Sequence, residues 1–108
     1  MDLATELLKP DTTVMKAITL AKGEAYYLSF HHAKAVEAWK EHLKYNPNSI
    51  ATYYNIANAT YYYLPDNKQA KSYFEKFLEL ARKEETPNAQ LKEMMEKAET
   101  LLKKSKVR

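Results

Sequence analysis

The fold is decided by residues 23–39, which read GEAYYLSFHHAKAVEAW. A small residue, Gly23, is followed after a turn by a second small residue, Ala35, and then by the large ring of Trp39. Two helices of a hairpin approach closely only where a small side chain lies at their crossing. A large aromatic one turn later fills the space beside that crossing. The stretch therefore predicts a hairpin of two antiparallel helices.

The same pattern returns further along the chain. Ala57 follows Gly23 by 34 residues, and Phe74 follows Trp39 by 35, with one inserted residue near Pro65 accounting for the difference. The same spacings relate Tyr27 to Tyr61, Ala35 to Ala70, and Leu43 to Leu78. Self-similarity at a fixed period of this size is typical of stacked helical repeats, so the sequence predicts two hairpins in series.

Prolines and capping residues divide the chain into six predicted helices, with apolar residues spaced by three and four. They cover residues 2–8, 12 to about 29, 31 or 32 to the loop at Asn46, 50–63, 67–85 and 88–105. The second helix carries apolar residues spaced by three and four: Val14, Met15, Ile18, Ala21, Ala25 and Tyr26. The fifth has Ala70, Tyr73, Phe74, Phe77, Leu78 and Ala81 facing inward, and the last has an amphipathic stripe of Leu91, Met94, Met95, Ala98, Leu101 and Leu102.

Composition supports a helical fold and excludes several classes. One glycine and four prolines in 108 residues are too few for the turns of an all-β domain. The absence of cysteine excludes disulfides, cysteine nucleophiles and thiolate metal sites. No apolar run is long enough to span a membrane, and residues 1–10 lack the features of a signal peptide. We therefore expect a cytoplasmic chain or an excised domain, and the sequence leaves the compartment open.

These residues resemble the tetratricopeptide repeat family. The first unit matches through Gly23-Glu24-Ala25-Tyr26-Tyr27, Ala35-Val36-Glu37-Ala38-Trp39, Leu43 and Asn46-Pro47-Asn48, and the second through Tyr53, Ile56, Ala57, Ala70, Phe74 and Leu78. The match covers about residues 16–85. Four features depart from the family pattern: Lys22 replaces a large apolar residue, Phe30 a helix-ending glycine and His42 a small residue, and the helix ending near Glu85 is about five residues too long.

The resemblance implies an all-α fold, a tetratricopeptide-type α-solenoid in a single domain over 1–108. Repeat 1 would cover about 12–47, repeat 2 would cover 49–86, a capping helix 88–105, and a short N-terminal helix 2–8. In this family the first helix of each hairpin lines a concave face, whereas Tyr26 and Tyr53 would pack between helices and Tyr73 would lie against the capping helix. We expect a non-catalytic protein-interaction module that binds a peptide on that face, through Leu20, Glu24, Tyr27, Tyr54, Asn58, Tyr61 and Tyr62.

One known peptide mode of the family fits poorly. Some members clamp the carboxylate tail of heat-shock chaperones with lysine and asparagine on successive concave helices. Asn55 matches one clamp asparagine, but Leu20 and Glu24 occupy the places of the lysine and the other asparagine. The Glu24 carboxylate would repel a carboxylate ligand. The resemblance therefore argues against this class of ligand.

Nothing in the sequence points to catalysis, a cofactor or a metal. The carboxylates stand at helical spacing from lysines, as Glu93 does from Lys97, which is typical of solvated faces. His31 and His32 are adjacent and diverge, and His42 lies too far along the chain for the i, i+4 pairing of helical metal sites. We therefore expect no enzyme activity, no cofactor and no metal.

Two other functions remain open. Two repeats are fewer than a stack usually needs, so the chain could self-associate or belong to a longer array, with the stripe over 91–102 and the helix over 2–8 as exposed ends. Nucleic-acid binding through the basic end and tyrosine stacking is the less favoured alternative. That end carries Lys103, Lys104, Lys106 and Arg108.

Overall fold

The chain folds as a series of α-helices. The computed structural model describes residues 12–64 and 66–107, and of residues 105–107 the backbone alone. Within these ranges it contains five helices and no strand: α1 (Thr12–Leu28), α2 (His32–Tyr45), α3 (Ile50–Tyr62), α4 (Asn67–Ala81) and α5 (Ala89–Val107). This confirms the predicted all-α class. The predicted N-terminal helix over 2–8 lies outside the described residues.

The helices form two compact units, one ending at Pro47 and the other beginning at Asn48. In the first unit, α1 packs against α2. In the second, α3 packs against α4, and α4 packs in turn against α5. Each unit therefore contains one antiparallel helical hairpin, and the second carries an additional helix. The short connections between the helices allow this pairing.

In the first unit, the two helices meet at Gly23 and Trp39. Both residues are buried. A Cβ added to Gly23 would clash with the Trp39 indole at Nε1 and Cδ1. Glycine is therefore needed at this position because the ring lies directly against its Cα, and the predicted role of Gly23 as a contact between helices is confirmed. Ala35, the other predicted contact residue, is also fully buried.

The apolar stripe predicted for α1 does not point inward. The buried residues of α1 are Thr19 and Gly23, whereas Val14 is 50% exposed and Ile18 is 45% exposed. Ala21 and Ala25 are exposed as well, and only Met15 and Tyr26 of that stripe are half-buried. Hydrophobic spacing therefore does not identify the packing face of α1, because hydrophobicity alone cannot rank a small glycine and a hydrogen-bonded threonine above aliphatic residues as packing positions.

A buried polar network explains His42, one of the departures from the family pattern. The Thr19 hydroxyl donates to the Met15 carbonyl at 2.7 Å, and its Oγ1 lies 3.0 Å from His42 Nδ1. On the other side of the ring, Asn46 Nδ2 lies 3.5 Å from His42 Nε2. Since one threonine proton cannot serve both partners, His42 Nδ1 donates to Thr19 and Nε2 accepts from Asn46. The histidine is thus a satisfied core residue.

The α1–α2 turn places a large side chain in a glycine conformation. His31 N donates to the Tyr26 carbonyl at 2.8 Å and Phe30 N donates to that of Tyr27 at 3.1 Å, the pair of bonds of a Schellman motif. Phe30 has a φ of 65°, a left-handed conformation that is rare for a bulky residue. Its ring is 83% exposed, so packing offers little compensation for the backbone strain.

Replacing Phe30 by glycine is therefore expected to stabilise the first unit. Relief of the left-handed strain is worth about 1–2 kcal/mol and the added chain entropy of glycine costs about 0.5–1, which leaves a gain of about 0.5 kcal/mol. Urea unfolding followed by circular dichroism measures it. Ser29→Gly controls for the added chain flexibility, because Ser29 is also exposed and in this turn but lacks a positive φ; it also loses the bond that Ser29 Oγ donates to the Ala25 carbonyl at 2.8 Å. A loss of stability in Phe30→Gly would contradict the strain argument.

The second unit is organised by two helix caps. The Asp66 carboxylate accepts from Gln69 N at 3.0 Å and from Gln69 Nε2 at 2.9 Å, which makes Asp66 the N-cap of α4. Asn88 Oδ1 accepts from Leu91 N at 2.8 Å at the start of α5. These caps satisfy backbone donors that the first turn of a helix leaves without partners, and so fix where α4 and α5 begin.

The helix α4 ends four residues earlier than predicted. It stops at Ala81, where Lys83 N and Glu84 N donate to carbonyls three residues back, at 3.2 and 3.1 Å. Such bonds tighten the last turn and end the regular helix. The prediction extended to Glu85 because residues 82–85 are good helix formers and Pro87 is the first stop signal. With this correction α4 has 15 residues, close to the 14 of α2, the second helix of the first hairpin.

Both hairpins repeat one aromatic contact. The rings of Tyr27 and Trp39 lie 5.8 Å apart in the first unit, and those of Tyr61 and Phe74 lie 6.3 Å apart in the second. The larger indole accompanies Gly23, and the smaller phenyl ring shares a buried core cluster with Ala57, the residue equivalent to Gly23. The larger ring is thus combined with the smaller residue, as expected for a close-packed interior.

Candidate functional site: a groove in the second unit

A groove of about 580 Å³ opens in the second unit between α3 and α5. It forms because both helices pack against α4, which leaves a space between their outer edges. The volume is within the range of pockets that bury a small ligand or part of a peptide. Its walls are formed by Ile50, Ala51, Tyr54, Asn55, Asn88, Gln90, Leu91, Glu93, Met94 and Lys97.

The groove has an apolar wall and a polar rim. Tyr54, Leu91 and Met94 are half-buried and pack against the core cluster of this unit. The remaining α5 residues are exposed and polar, and the only two charges in the lining, on Glu93 and Lys97, have opposite signs. The groove is therefore close to neutral. It offers carboxamides, apolar surface and one phenol.

The ring of Tyr54 is held in place by two phenylalanine rings of the core. It contacts the Phe77 ring at 5.0 Å and the Phe74 ring at 6.2 Å, and both phenylalanines are buried. Tilted and edge-to-face arrangements of this kind are the favoured geometries for aromatic pairs. Tyr54 thus belongs partly to the core, and its outer edge forms a preorganised wall of the groove.

The other predicted residues of α3 lie beside the groove and do not line it. Asn58 is half-buried one turn beyond Tyr54 and on the same helix face. Tyr61 is half-buried and stacks edge-on with Tyr62 at 4.9 Å, and Tyr62 is 60% exposed. The surface of α3 that forms the groove wall at Tyr54 therefore continues along the helix, beyond the groove, to Tyr62.

The three remaining predicted residues belong to the first unit. Leu20 and Glu24 are exposed on α1. Tyr27 is half-buried, and its ring lies 5.3 Å from that of His32 in addition to its contact with Trp39. Tyr27 is thus a packing residue of the α1–α2 hairpin as well as a surface residue.

Sequence reasoning missed most of the α5 side of the groove. Leu91 and Met94 were predicted as part of a buried stripe, but they are half-buried and serve both the core and the groove. Gln90, Glu93 and Lys97 were not singled out as binding residues. Their spacing of three and four places them along one edge of α5, a signal that becomes useful only when the neighbouring helix is known.

The last helix is also not an exposed apolar end. Ala98 and Leu101 are buried, and Leu91, Met94, Met95 and Leu102 pack on the core cluster of the second unit. This corrects the expectation that the stripe over 91–102 is exposed for self-association. The stripe is covered by α4, to which an exposed ion pair between Arg82 and Glu99 at 3.6 Å also connects it.

One tyrosine outside the groove has an altered acidity. Burial, and secondarily the neighbouring Tyr53, raise the pKa of Tyr73 above its usual 10.0. The rings of Tyr53 and Tyr73 lie 6.1 Å apart, and both pack against the core cluster. Tyr73 is thus neutral at physiological pH, and both Tyr53 and Tyr73 are packing residues, as predicted.

The described residues contain no group of three or more histidine, cysteine or acidic side chains arranged to hold a metal ion. No helix within the described ranges combines the length and the apolar character that crossing a membrane requires. At the basic end, Lys103 and Lys104 are exposed on α5, whereas the side chains of Lys106 and Arg108 lie outside the described part.

Two comparisons with known proteins identify no family for this chain. A scan against models of protein families finds no match, and a search of curated protein sequences finds none either. The resemblance to the tetratricopeptide repeat family therefore rests on residue size and spacing.

Proposed function

We propose that this chain is a non-catalytic, tetratricopeptide-type interaction module that binds an extended peptide segment in the groove between α3 and α5. The observation that carries the proposal is the groove itself, about 580 Å³ in volume and walled by Tyr54. The 34-residue pattern, the repeated tyrosine–aromatic contact and the paired helices support the repeat assignment.

The chemistry of the lining favours a peptide over a charged metabolite. Carboxamides donate and accept at once, and a peptide backbone needs both. Asn55 and Gln90 supply two of them around the rim, and Asn88, whose Oδ1 already accepts from Leu91 N, adds its amide nitrogen as a donor. Tyr54, Leu91 and Met94 supply an apolar surface for one or two side chains of the ligand. Since Glu93 and Lys97 balance each other, the groove favours a segment with little net charge.

The fixed position of the Tyr54 ring favours binding of a peptide in the groove. Tyr54 is fixed by two buried rings and loses little rotamer freedom when a ligand arrives. A tyrosine also combines a large contact area with a hydroxyl, which is why the residue is enriched at binding hot spots. The groove is short, so we expect a dissociation constant in the micromolar range, roughly 1–100 µM.

The test uses peptides selected on the full chain from a displayed library of random twelve-residue sequences. We expect the selected peptides to share an apolar residue and to bind with micromolar affinity in fluorescence anisotropy. Ala51→Glu introduces a larger, charged side chain at an exposed groove residue and is expected to weaken binding by about tenfold or more, which corresponds to about 1.4 kcal/mol.

Ala33→Glu is the matched control. Ala33 is the second residue of α2, as Ala51 is of α3, and both alanines are exposed. The control variant is expected to bind the selected peptides within twofold of the wild-type chain. Failure to select any binder, or equal weakening by the two variants, would count against the groove as the binding site.

A further inference from the structure

The outward face of α1 is apolar along its whole length. Val14, Ile18 and Leu28 are 50%, 45% and 76% exposed, and Ala17, Ala21 and Ala25 between them are exposed as well. The opposite face of α1 packs against α2 through Thr19 and Gly23. This helix therefore presents apolar residues on the side where a surface helix normally carries its charges.

The spacing of these residues is that of a helix–helix seam. Val14, Ile18, Ala21, Ala25 and Leu28 follow one another at intervals of four, three, four and three. This is the heptad spacing that keeps one stripe facing a partner helix. The stripe is about 21 Å long at the rise of an α-helix, and its edges are marked by Lys22 on one side and Glu24 on the other.

Side-chain sizes are symmetric about Ala21 at four and at seven residues, whereas Ile18, three residues before Ala21, has Glu24 as its counterpart three residues after it. Four residues to either side stand Ala17 and Ala25, and seven residues to either side stand the large aliphatic residues Val14 and Leu28. A contact between two copies related by a two-fold axis requires a self-complementary surface of this kind. In an antiparallel pair centred on Ala21, Val14 of one copy meets Leu28 of the other, and alanines meet at the centre.

We propose that two copies of this chain associate through the outward faces of their α1 helices, antiparallel and centred on Ala21. The three alanines allow the helix backbones to approach closely, and Ile18 packs into the space beside the small residues of the second copy. The contact is separate from the groove between α3 and α5, so it does not depend on the proposed function.

The size of the face sets the expected strength. A face of one helix offers a patch of a few hundred Å², the size of the largest apolar patches on monomers. A standard stable interface buries about 800 Å² on each partner. We therefore expect a reversible dimer with a dissociation constant of roughly 10–100 µM, formed at high protein concentration and dissociated at low concentration.

Sedimentation equilibrium of the full chain from about 1 µM to 1 mM tests the proposal. The mass is expected to rise from 12.6 kDa toward twice that value. Ala21→Glu brings two carboxylates together at the two-fold axis, because Ala21 meets its own copy. This variant is expected to raise the dissociation constant by about tenfold or more, whereas Ala33→Glu on α2 leaves it within about twofold.

Single cysteines test the register, since the chain contains none of its own. In the antiparallel pair, Val14→Cys on one copy lies beside Leu28→Cys on the other. A mixture of the two variants, tagged differently, is therefore expected to cross-link into mixed dimers with a short bismaleimide. Each variant alone should cross-link far less.

Three results would overturn the proposal. A constant mass of 12.6 kDa up to 1 mM would show that the outward face of α1 does not bind a second copy. Equal dimerisation of the wild-type and Ala21→Glu chains would move the contact elsewhere. Cross-linking of the Val14→Cys variant with itself, in preference to the mixture, would contradict the antiparallel arrangement. Circular dichroism of each variant verifies that its helices remain formed.

Discussion

Replacing Trp39 by alanine is expected to lower the free energy of unfolding of the first unit by about 3–5 kcal/mol. The indole is 3% exposed and fills the space against Gly23, where α1 and α2 meet. Its removal leaves a cavity that backbone shifts can fill only in part. Because whole domains are stable by only about 5–15 kcal/mol, the first unit would be largely unfolded in mild denaturant. Urea titration followed by circular dichroism measures the loss.

A double-mutant cycle tests whether the contact between Trp39 and Gly23 causes this loss of stability. Gly23→Ala alone gains about 1 kcal/mol of helix propensity but clashes with the indole, so it is expected to destabilise by about 1–2 kcal/mol net. Trp39→Phe alone is expected to cost less than alanine, because the phenyl ring keeps most of the buried aromatic volume. Both changes remove the buried indole Nε1, which has no hydrogen-bond partner in the described structure.

The combination of Gly23→Ala with Trp39→Phe recreates the alanine–phenylalanine pair of the second hairpin. The smaller ring makes room for the added methyl group, so the two changes together are expected to cost at least about 1 kcal/mol less than the sum of the single changes. Strict additivity would mean that the residues do not share one packing space. It would thereby contradict the volume exchange between the two hairpins.

The second large effect concerns Phe77, which lies beneath the groove. Phe77 is fully buried in the core cluster of the second unit, and its ring is 5.0 Å from that of Tyr54. Phe77→Ala is expected to destabilise this unit by about 3–5 kcal/mol. The variant should also release the Tyr54 ring from its position. Loss of stability is measured by urea unfolding, and order at Tyr54 by the linewidths of its ring protons in NMR spectra.

Phe77→Leu tests the aromatic support of Tyr54 in the groove separately from the stability of the core. Leucine keeps most of the apolar volume and is expected to cost about 1 kcal/mol, so the unit remains folded. The ring contact with Tyr54 is nevertheless lost. Binding of selected peptides is therefore expected to weaken severalfold, and unchanged affinity would show that Tyr54 needs no aromatic support.

The repeat and the helices were predictable because they depend on local properties. Small residues, prolines and caps act within a few positions, so Asp66 and Gly23 could be assigned from sequence. The inward face of α1 could not, because Thr19 is buried through a hydrogen bond to His42, a residue 23 positions away. Pattern analysis ranks a threonine below a valine as a core residue and cannot anticipate such a partner.

Only the α3 wall of the groove could be predicted from the sequence, again because the other wall depends on residues that are distant along the chain. Tyr54 was found because it follows the tyrosine pattern of α3. The opposite wall comes from α5, whose edge residues become significant only through the way both helices pack on α4. The predicted pair Tyr54 and Tyr61 also proved to be in ring contact with the core, so alanine at both positions would test stability as well as binding.

The burial of the only tryptophan makes the first unit optically distinct. Trp39 lies in the first unit, and the second unit contains tyrosine and phenylalanine as its aromatic residues. Tryptophan emission excited near 295 nm therefore reports the environment of one hairpin alone, whereas far-ultraviolet circular dichroism reports the helices of both. Coincident unfolding curves from the two signals would indicate one cooperative transition, and separated curves would resolve the stability of each hairpin without any labelling.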